Sequence, residues 1–133
     1  MEDCIFCKII KGEIPSFKIW ENEEFLAILD INPNTRGMTL VLPKNHYESD
    51  MLKIPEDVYQ KLMLVSRSVA EILQKKLEPK RMVLIMEGLG VNHAHVKLYP
   101  VYDGHEGGIS TTLGPQANFE ELKILAEKLR DNN

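Results

Sequence analysis

The sequence predicts an α+β domain built on an antiparallel meander of strands. Short apolar segments follow one another with mostly short polar turns between them, which is typical of an antiparallel sheet. One longer segment carries apolar residues at three- and four-residue spacing and predicts a helix inserted among the strands. With 133 residues and no internal repeat or linker, the chain has the size of a single domain that spans residues 1–133.

Composition and charge argue against several classes of partner. The 16 Lys and Arg residues are outnumbered by 20 Asp and Glu residues, so a net charge of −4 disfavours a general binder of nucleic acid or of anionic membranes. No apolar stretch approaches the roughly 20 residues of a membrane helix. The first residues do not resemble a secretory signal. We therefore expect a cytoplasmic protein that has neither nucleic acid nor membrane as a partner.

The first half of the chain predicts one short helix and three strands. The segment CIFCKII, residues 4–10, predicts a short helix that ends at a Lys-Gly pair. Strands are predicted over 17–21 and 24–31, with a polar turn between them. A third strand, MTLVLP, covers 38–43 and ends at its proline.

The second half begins with a long amphipathic helix. Its apolar positions run from Val58 to Leu73, and a proline followed by two acidic residues suits a first turn at residue 55. The helix is expected to reach about residue 76. Strands are then predicted over 81–86 and 92–100, separated by the tight turn EGLG. A Gly-rich irregular segment covers 101–117 and contains His105, and Phe119, Leu122, Leu125 and Leu129 mark a last helix.

The predicted fifth strand carries the residues best suited to chemistry. His93, His95 and Lys97 alternate, so a strand would place them on one face. An imidazole can be a nucleophile towards phosphorus or a metal ligand. Just upstream, Gly88 and Gly90 would let backbone N–H groups approach an anion closely. The alternative is a solvated strand face on which polar residues alternate without function.

The segment HAHVKLYP resembles the signature of the histidine triad (HIT) family, in which three alternating histidines precede two apolar residues. Three further segments agree in order and spacing, namely CIFCKIIKGEIPS, ENEEFLAILDINP and RGMTLVLPKNH. The resemblance covers nearly all of residues 3–100. It implies the HIT-like fold, a five-stranded antiparallel sheet with two main helices, usually paired as a homodimer around a ten-stranded sheet. Residues 101–133 would be a variable C-terminal loop and helix.

The resemblance also implies an activity and a set of site residues. Family members bind nucleotides and mostly act at the α-phosphate of a conjugate. This implies a hydrolase with a purine nucleotide or nucleotide conjugate as partner, acting on a nucleoside phosphoramidate or a dinucleoside polyphosphate. By position, His95 is the nucleophile that forms a nucleotidyl-histidine, His93 is the first motif histidine, and Asp30 holds the ribose hydroxyls. Five residues resemble the walls of the base pocket, although each could equally be plain core: Ile5, Phe6, Ile9, Ile28 and Ile31.

The two cysteines indicate a metal site. Cys4 and Cys7 have the Cys-x-x-Cys spacing, which in a reducing compartment favours metal or redox chemistry over a structural disulfide. His46 and His93 would complete the Cys₂His₂ set found in part of the family, so we expect one structural zinc ion per chain. The alternative is two reduced cysteines in a helix.

The sequence departs from the family signature at the third histidine, where Lys97 stands. A lysine cannot act as a neutral imidazole, but it can neutralise a phosphate as a flexible point charge. Leu89 and Gly90 occupy places where family hydrolases often carry side-chain donors, and Met86 lies near where many relatives carry asparagine. Two alternatives to hydrolysis therefore stay open, a nucleotide-binding regulatory module with little turnover and a nucleotidyltransferase.

Overall fold

The computed structural model describes residues 3–103 and 108–130, which form a five-stranded antiparallel sheet and three helices. The strands are β1 (Lys18–Glu21), β2 (Phe25–Leu29), β3 (Thr39–Pro43), β4 (Arg81–Ile85) and β5 (Val96–Val101). The helices are α1 (Ile5–Ile10), α2 (Glu56–Leu77) and α3 (Phe119–Arg130). The predicted α+β class, with a five-stranded antiparallel sheet and two long helices, is confirmed. His105 lies outside the described residues.

The strands lie in the order β1-β2-β3-β5-β4, so the meander is sequential only over its first three members. Both β3 and β4 pair antiparallel with β5 and therefore run in the same direction. The 22 residues of α2 carry the chain from β3 across to β4 and leave a gap that β5 fills. This placement brings the end of the motif segment to an interior strand of the sheet.

The sheet is covered on both faces. Helices α2 and α3 pack on one face around Val41, Val96 and Leu98, all nearly inaccessible to solvent. On the other face, α1 inserts Phe6 against Ile28 and other apolar residues of β2 and β3. Because both faces are buried, β2 and β3 read as continuous apolar runs rather than as alternating strands.

The fifth strand begins at Val96, so the prediction of a strand over 92–100 is wrong at its start. Pairing between β3 and β5 reaches only Val41 opposite Val96, and β3 ends two residues later at Pro43, which has no N–H to donate to a longer ladder. The backbone N–H of Ala94 instead donates to the carbonyl oxygen of Tyr47 at 2.8 Å. His93 and His95 therefore lie on an irregular segment that enters the strand, where each side chain is free to face a different site.

Within the described residues, no helix is both long enough and apolar enough to cross a membrane.

Candidate active site and metal-binding cluster

A cavity of about 280 Å³ lies between α1, the central strands and the loop that precedes β5. Its lining includes all five apolar residues predicted for the base pocket together with Asp30, Gly90, His95 and Lys97. Phe6 and Ile28 are also part of the buried core, whereas Ile5 and Ile31 remain 43% and 40% exposed. The two exposed isoleucines are wall residues of an open cavity rather than plain core residues.

The imidazole of His95 has a defined tautomer. Its Nδ1 atom lies 2.7 Å from the backbone carbonyl oxygen of His93. A carbonyl oxygen only accepts hydrogen bonds, so Nδ1 carries the proton and Nε2 keeps its lone pair. The ring is 4% exposed and lies edge-on to Phe6, with ring centroids 5.0 Å apart. The geometry therefore holds a neutral imidazole with one free nitrogen at the polar end of the cavity.

The electrostatic surroundings favour the neutral form of His95. Burial is the largest influence and lowers the pKa of this imidazole, and the charge of Lys97 lowers it further. The hydrogen bond to the His93 carbonyl and the carboxylates of Glu87 and Asp30 raise the pKa but do not outweigh burial. A nucleophile needs the unprotonated nitrogen, so this environment suits nucleophilic chemistry near neutral pH.

Asp30 marks a second polar position in the cavity. It follows β2, and one of its carboxylate oxygens, Oδ1, accepts a hydrogen bond from the Asn32 backbone N–H at 2.8 Å. This contact fixes the orientation of the carboxylate and leaves the second oxygen available to a ligand. A carboxylate has enough lone pairs to accept from two neighbouring hydroxyl groups.

The loop between β4 and β5 is held by Ser49. The Ser49 hydroxyl donates to the Gly88 carbonyl oxygen at 2.6 Å, and the Ser49 N–H donates to the Asn92 side-chain oxygen at 3.0 Å. Gly88 has φ +60°, and a Cβ at this position would lie 2.6 Å from the Ser49 carbonyl oxygen. The structure therefore places Gly88 against Ser49, outside the lining of the cavity, while Gly90 borders the cavity directly.

Lys97 is paired inside the cavity. Its Nζ lies 3.3 Å from Oε1 of Glu87, and the two side chains are only 18% and 26% exposed. Both residues line the same cavity as His95. The cation that stands in place of a third imidazole is thus partly neutralised by a carboxylate from the loop after β4.

Four side chains next to this cavity could hold a metal ion. The ligand atoms of Cys4, Cys7, His46 and His93 all lie within 4.8 Å of one another. His93 Nδ1 is 3.4 Å from the Cys4 sulfur and 3.5 Å from the Cys7 sulfur, and His46 Nδ1 is 3.3 Å from the Cys7 sulfur. With zinc bonds of about 2.3 Å to sulfur and about 2.0–2.1 Å to nitrogen, the edges of a tetrahedral site measure roughly 3.3–3.8 Å. The donor set fits such an ion, and the three sulfur–nitrogen distances of 3.3–3.5 Å match these edges.

The surroundings of His93 prepare it as a ligand. Its Nε2 lies 2.8 Å from the carbonyl oxygen of Pro43, which fixes the proton on Nε2 and directs the lone pair of Nδ1 at the two sulfurs. Burial lowers the pKa of this fully buried imidazole and keeps it neutral. Burial and the neighbouring Cys4 raise the pKa of the Cys7 thiol, an effect that a bound cation would reverse.

The structure thus separates the three motif residues that the sequence placed on one strand face. His95 and Lys97 share the cavity, whereas the side chain of His93 turns to the cysteines. The cavity and the metal-binding cluster are nevertheless adjacent, because the backbone of His93 contacts His95 and its side chain belongs to the cluster. Phe6 lies edge-on to both imidazoles.

Sequence reasoning missed Glu87, Ser49 and Leu113. Glu87 pairs with Lys97 because Ile85 lies opposite Lys97 in the β4–β5 register, which no local pattern reveals. Leu113, 79% exposed, reaches the cavity mouth because Gly114 bonds back to the Asn32 carbonyl oxygen. The pairing of Glu87 and the position of Leu113 have no sequence signature, since both depend on tertiary contacts.

A larger cavity of about 480 Å³ lies between α3 and the segment after β2. It shares Leu29 and Asp30 with the first cavity, and the described residues that line it include no histidine or cysteine. The imidazole suited to nucleophilic chemistry therefore lies in the smaller cavity.

Comparisons with known proteins identify relatives of this chain. A HIT domain model matches residues 11–103. An uncharacterised HIT-like protein of Methanocaldococcus jannaschii is 42% identical over 129 residues, which cover 93% of this chain and 97% of that protein. The adenosine 5'-monophosphoramidase of Saccharomyces cerevisiae is 33% identical over 130 residues, covering 95% of this chain and 80% of the yeast protein.

One solved structure shares the fold of this chain and is that of a zinc-bound protein. The crystal structure of a zinc-bound histidine triad family protein from Mycobacterium smegmatis superposes with a TM-score of 0.78 at 29% identity, covering 97% of this chain and 91% of that chain. Both the sequence match over most of the chain and the shared architecture point the same way. The chain belongs to the histidine triad family.

Proposed function

We propose that this protein is a nucleotide-binding hydrolase that acts at the α-phosphate of nucleotide conjugates through a nucleotidyl intermediate on His95. One observation carries the proposal, the free Nε2 of a buried and neutral His95 at the polar end of a cavity with apolar walls. The similarity to a yeast adenosine 5'-monophosphoramidase supports a hydrolase of this class. The substrates would be nucleoside phosphoramidates or dinucleoside polyphosphates.

The shape of the cavity suggests how a purine nucleotide would lie. The isoleucines of α1 and β2 would sandwich the base, and the open oxygen of Asp30 would accept from the ribose hydroxyls. The α-phosphate would then reach the end of the cavity that holds His95 and Lys97. A ligand in the opposite orientation would place its phosphate against apolar walls, which is energetically costly.

The reaction would proceed in two displacements. The Nε2 lone pair of His95 would attack the α-phosphorus, the bond to the leaving group would break, and the leaving group would take up a proton. Water would then attack the same phosphorus and break the P–N bond, which returns His95 and releases a nucleoside monophosphate. The charge of Lys97 would stabilise the phosphoryl oxygens as negative charge develops.

Two observations favour a second candidate, a nucleotide-binding module with little turnover. Leu89 and Gly90 provide no side-chain donors near the phosphate, and Lys97 is already paired with Glu87. Transfer of the nucleotidyl group to an acceptor other than water is a third outcome of the same intermediate.

One experiment separates these functions. Wild type and His95→Asn would be incubated with adenosine 5'-phosphoramidate and with a diadenosine polyphosphate, and release of AMP would be measured. The asparagine can still donate to the His93 carbonyl, so the variant is expected to fold and to bind AMP while losing turnover. Tight AMP binding without turnover that depends on His95 would favour the binding module, and product that forms only with added phosphate would favour transfer.

We further infer that the cluster of Cys4, Cys7, His46 and His93 holds one zinc ion per chain. Four protein ligands leave no open position, so the ion would be structural and would fasten α1 to the sheet. The zinc-bound relative from Mycobacterium smegmatis supports this choice of metal. Thiolate ligands that must stay reduced also suit the cytoplasm.

A homodimer is proposed on the grounds of family membership and of one open sheet edge. In the described sheet, β4 is an edge strand with Leu84 40% exposed, and α2 leaves Leu64 66% exposed. Pairing of two β4 edges would cover such a strand and join the sheets. Sedimentation of wild type as a dimer and of Leu84→Asp as a monomer would support the proposal, and a wild-type monomer at micromolar concentration would exclude it.

A further inference from the structure

The polar end of the cavity carries a carboxylate that the proposed mechanism does not use. Glu87 lies 3.3 Å from the ammonium group of Lys97, and both side chains are largely withdrawn from solvent. Charges in such positions are weakly screened, so each influences any group that binds within a few ångströms. Glu87 is therefore placed to act on the charge of a bound leaving group.

The charges around the cavity do not favour a polyanion. Among the described residues that line it, Lys97 is the one cation, whereas Asp30 and Glu87 are both acidic. His95 contributes no charge in its neutral form. The lining therefore has a net charge of −1, although an α-phosphate is itself an anion.

We propose that Glu87 is a specificity-determining residue that admits leaving groups of low negative charge, such as amines, and disfavours polyphosphates. This inference rests on the proposed function, because it concerns the leaving group of the same reaction. A phosphoramidate would deliver one negative charge at the α-phosphate, and its amine could donate an N–H to the Glu87 carboxylate. After P–N cleavage the amine takes up a proton and leaves without negative charge, whereas a nucleoside polyphosphate would leave with several.

The backbone next to Glu87 is held in place. The following residue, Gly88, is fixed by the Ser49 hydroxyl at 2.6 Å and is packed against the Ser49 backbone. Lys97, by contrast, has a flexible four-carbon stem and can turn to a phosphate. When it does so, the carboxylate of Glu87 loses its partner, and its repulsion of further phosphates increases.

The test measures binding, so it does not depend on turnover. Dissociation constants for AMP, ADP and ATP without added divalent cation would be determined by calorimetry for wild type, Glu87→Gln and Glu87→Asp. The matched control is Glu24→Gln, which removes the carboxylate of an exposed ion pair with Lys61 of the same 3.3 Å length. Affinity of wild type should fall from AMP to ATP, and Glu87→Gln should raise the affinity for ATP relative to AMP by about tenfold. Glu87→Asp and Glu24→Gln should keep the wild-type ratio.

Two results would overturn this inference and leave the proposed function standing. One is a uniform change of all three affinities in Glu87→Gln, and the other is a wild type that binds ATP as tightly as AMP. If none of the three nucleotides binds, the proposed function fails as well. Because nucleotides still bind in the two results above, those results count against this inference only.

Discussion

The Nδ1 atom of His95 lies 2.7 Å from the backbone carbonyl oxygen of His93, whose own Nδ1 faces the sulfurs of Cys4 and Cys7. A single residue thus fixes the tautomer of the proposed nucleophile through its backbone and contributes to the metal-binding cluster through its side chain. Occupancy of the cluster and orientation of His95 are therefore expected to be coupled.

Removal of the metal should lower turnover and also weaken nucleotide binding. Without the ion, the His93 side chain loses a strong constraint and its carbonyl holds His95 less firmly, so kcat should fall about tenfold. Three wall residues of the cavity lie on α1, which the ion would fasten to the sheet, so KM should rise as well. The measurement compares chelated and zinc-reconstituted protein, and full kcat in protein shown to lack zinc would contradict the coupling.

Loss of one sulfur ligand should lower both metal content and stability. Cys7→Ser removes the sulfur that lies near both histidines, so the purified variant should carry well below one zinc per chain and melt at a lower temperature. Lys8→Gln, on the same helix but without a ligand atom, is the control and should match wild type. Equal zinc content and equal melting temperature in Cys7→Ser would exclude a structural metal.

Gly88→Ala should destabilise the loop that carries Glu87. Its φ of +60° disfavours an L side chain, and the added Cβ would meet the Ser49 carbonyl oxygen at 2.6 Å. We expect a loss of roughly 1–3 kcal/mol in the free energy of unfolding, measured by urea denaturation. Gly90→Ala is the control for stability, because its Cβ would meet nothing within 4 Å. Equal destabilisation by both substitutions would contradict the packing role of Gly88.

Lys97 should matter through its positive charge. Lys97→Met would leave the phosphate without its cation and Glu87 without its partner, so kcat/KM should fall about tenfold or more. Lys97→Arg keeps the charge and should retain most of the activity. Lys61→Met breaks an exposed ion pair away from the cavity and should have no effect. Activity of Lys97→Met equal to that of wild type would show that the position is dispensable.

The fold class was predictable because the chain's local patterns agree with its tertiary structure. The apolar runs of β2 and β3 and the long periodicity of α2 each indicate one type of element. The strand order was not predictable in the same way, since nothing local reveals that β5 fills the gap that α2 leaves between β3 and β4. Pairing between distant strands is a tertiary property.

The residues of the candidate site were likewise predictable only in part. The resemblance to the family pointed to His95 and to the cysteine and histidine cluster, whose ligand atoms the structure brings together. The period of two placed the start of the fifth strand wrongly, because an alternating pattern does not reveal that the ladder reaches only Val96. Glu87 was missed because its pairing with Lys97 depends on the β4–β5 register.

The central claim is that His95 carries the nucleotidyl group during turnover. The most direct measurement is mass spectrometry of the protein after rapid mixing with adenosine 5'-phosphoramidate and quenching under denaturing, non-acidic conditions that preserve P–N bonds. We expect an adenylyl group on the peptide that contains His95 and none in His95→Asn. An adduct on another residue would contradict this expectation. So would rapid AMP release from wild type with no adduct on a millisecond timescale, together with undiminished turnover in His95→Asn.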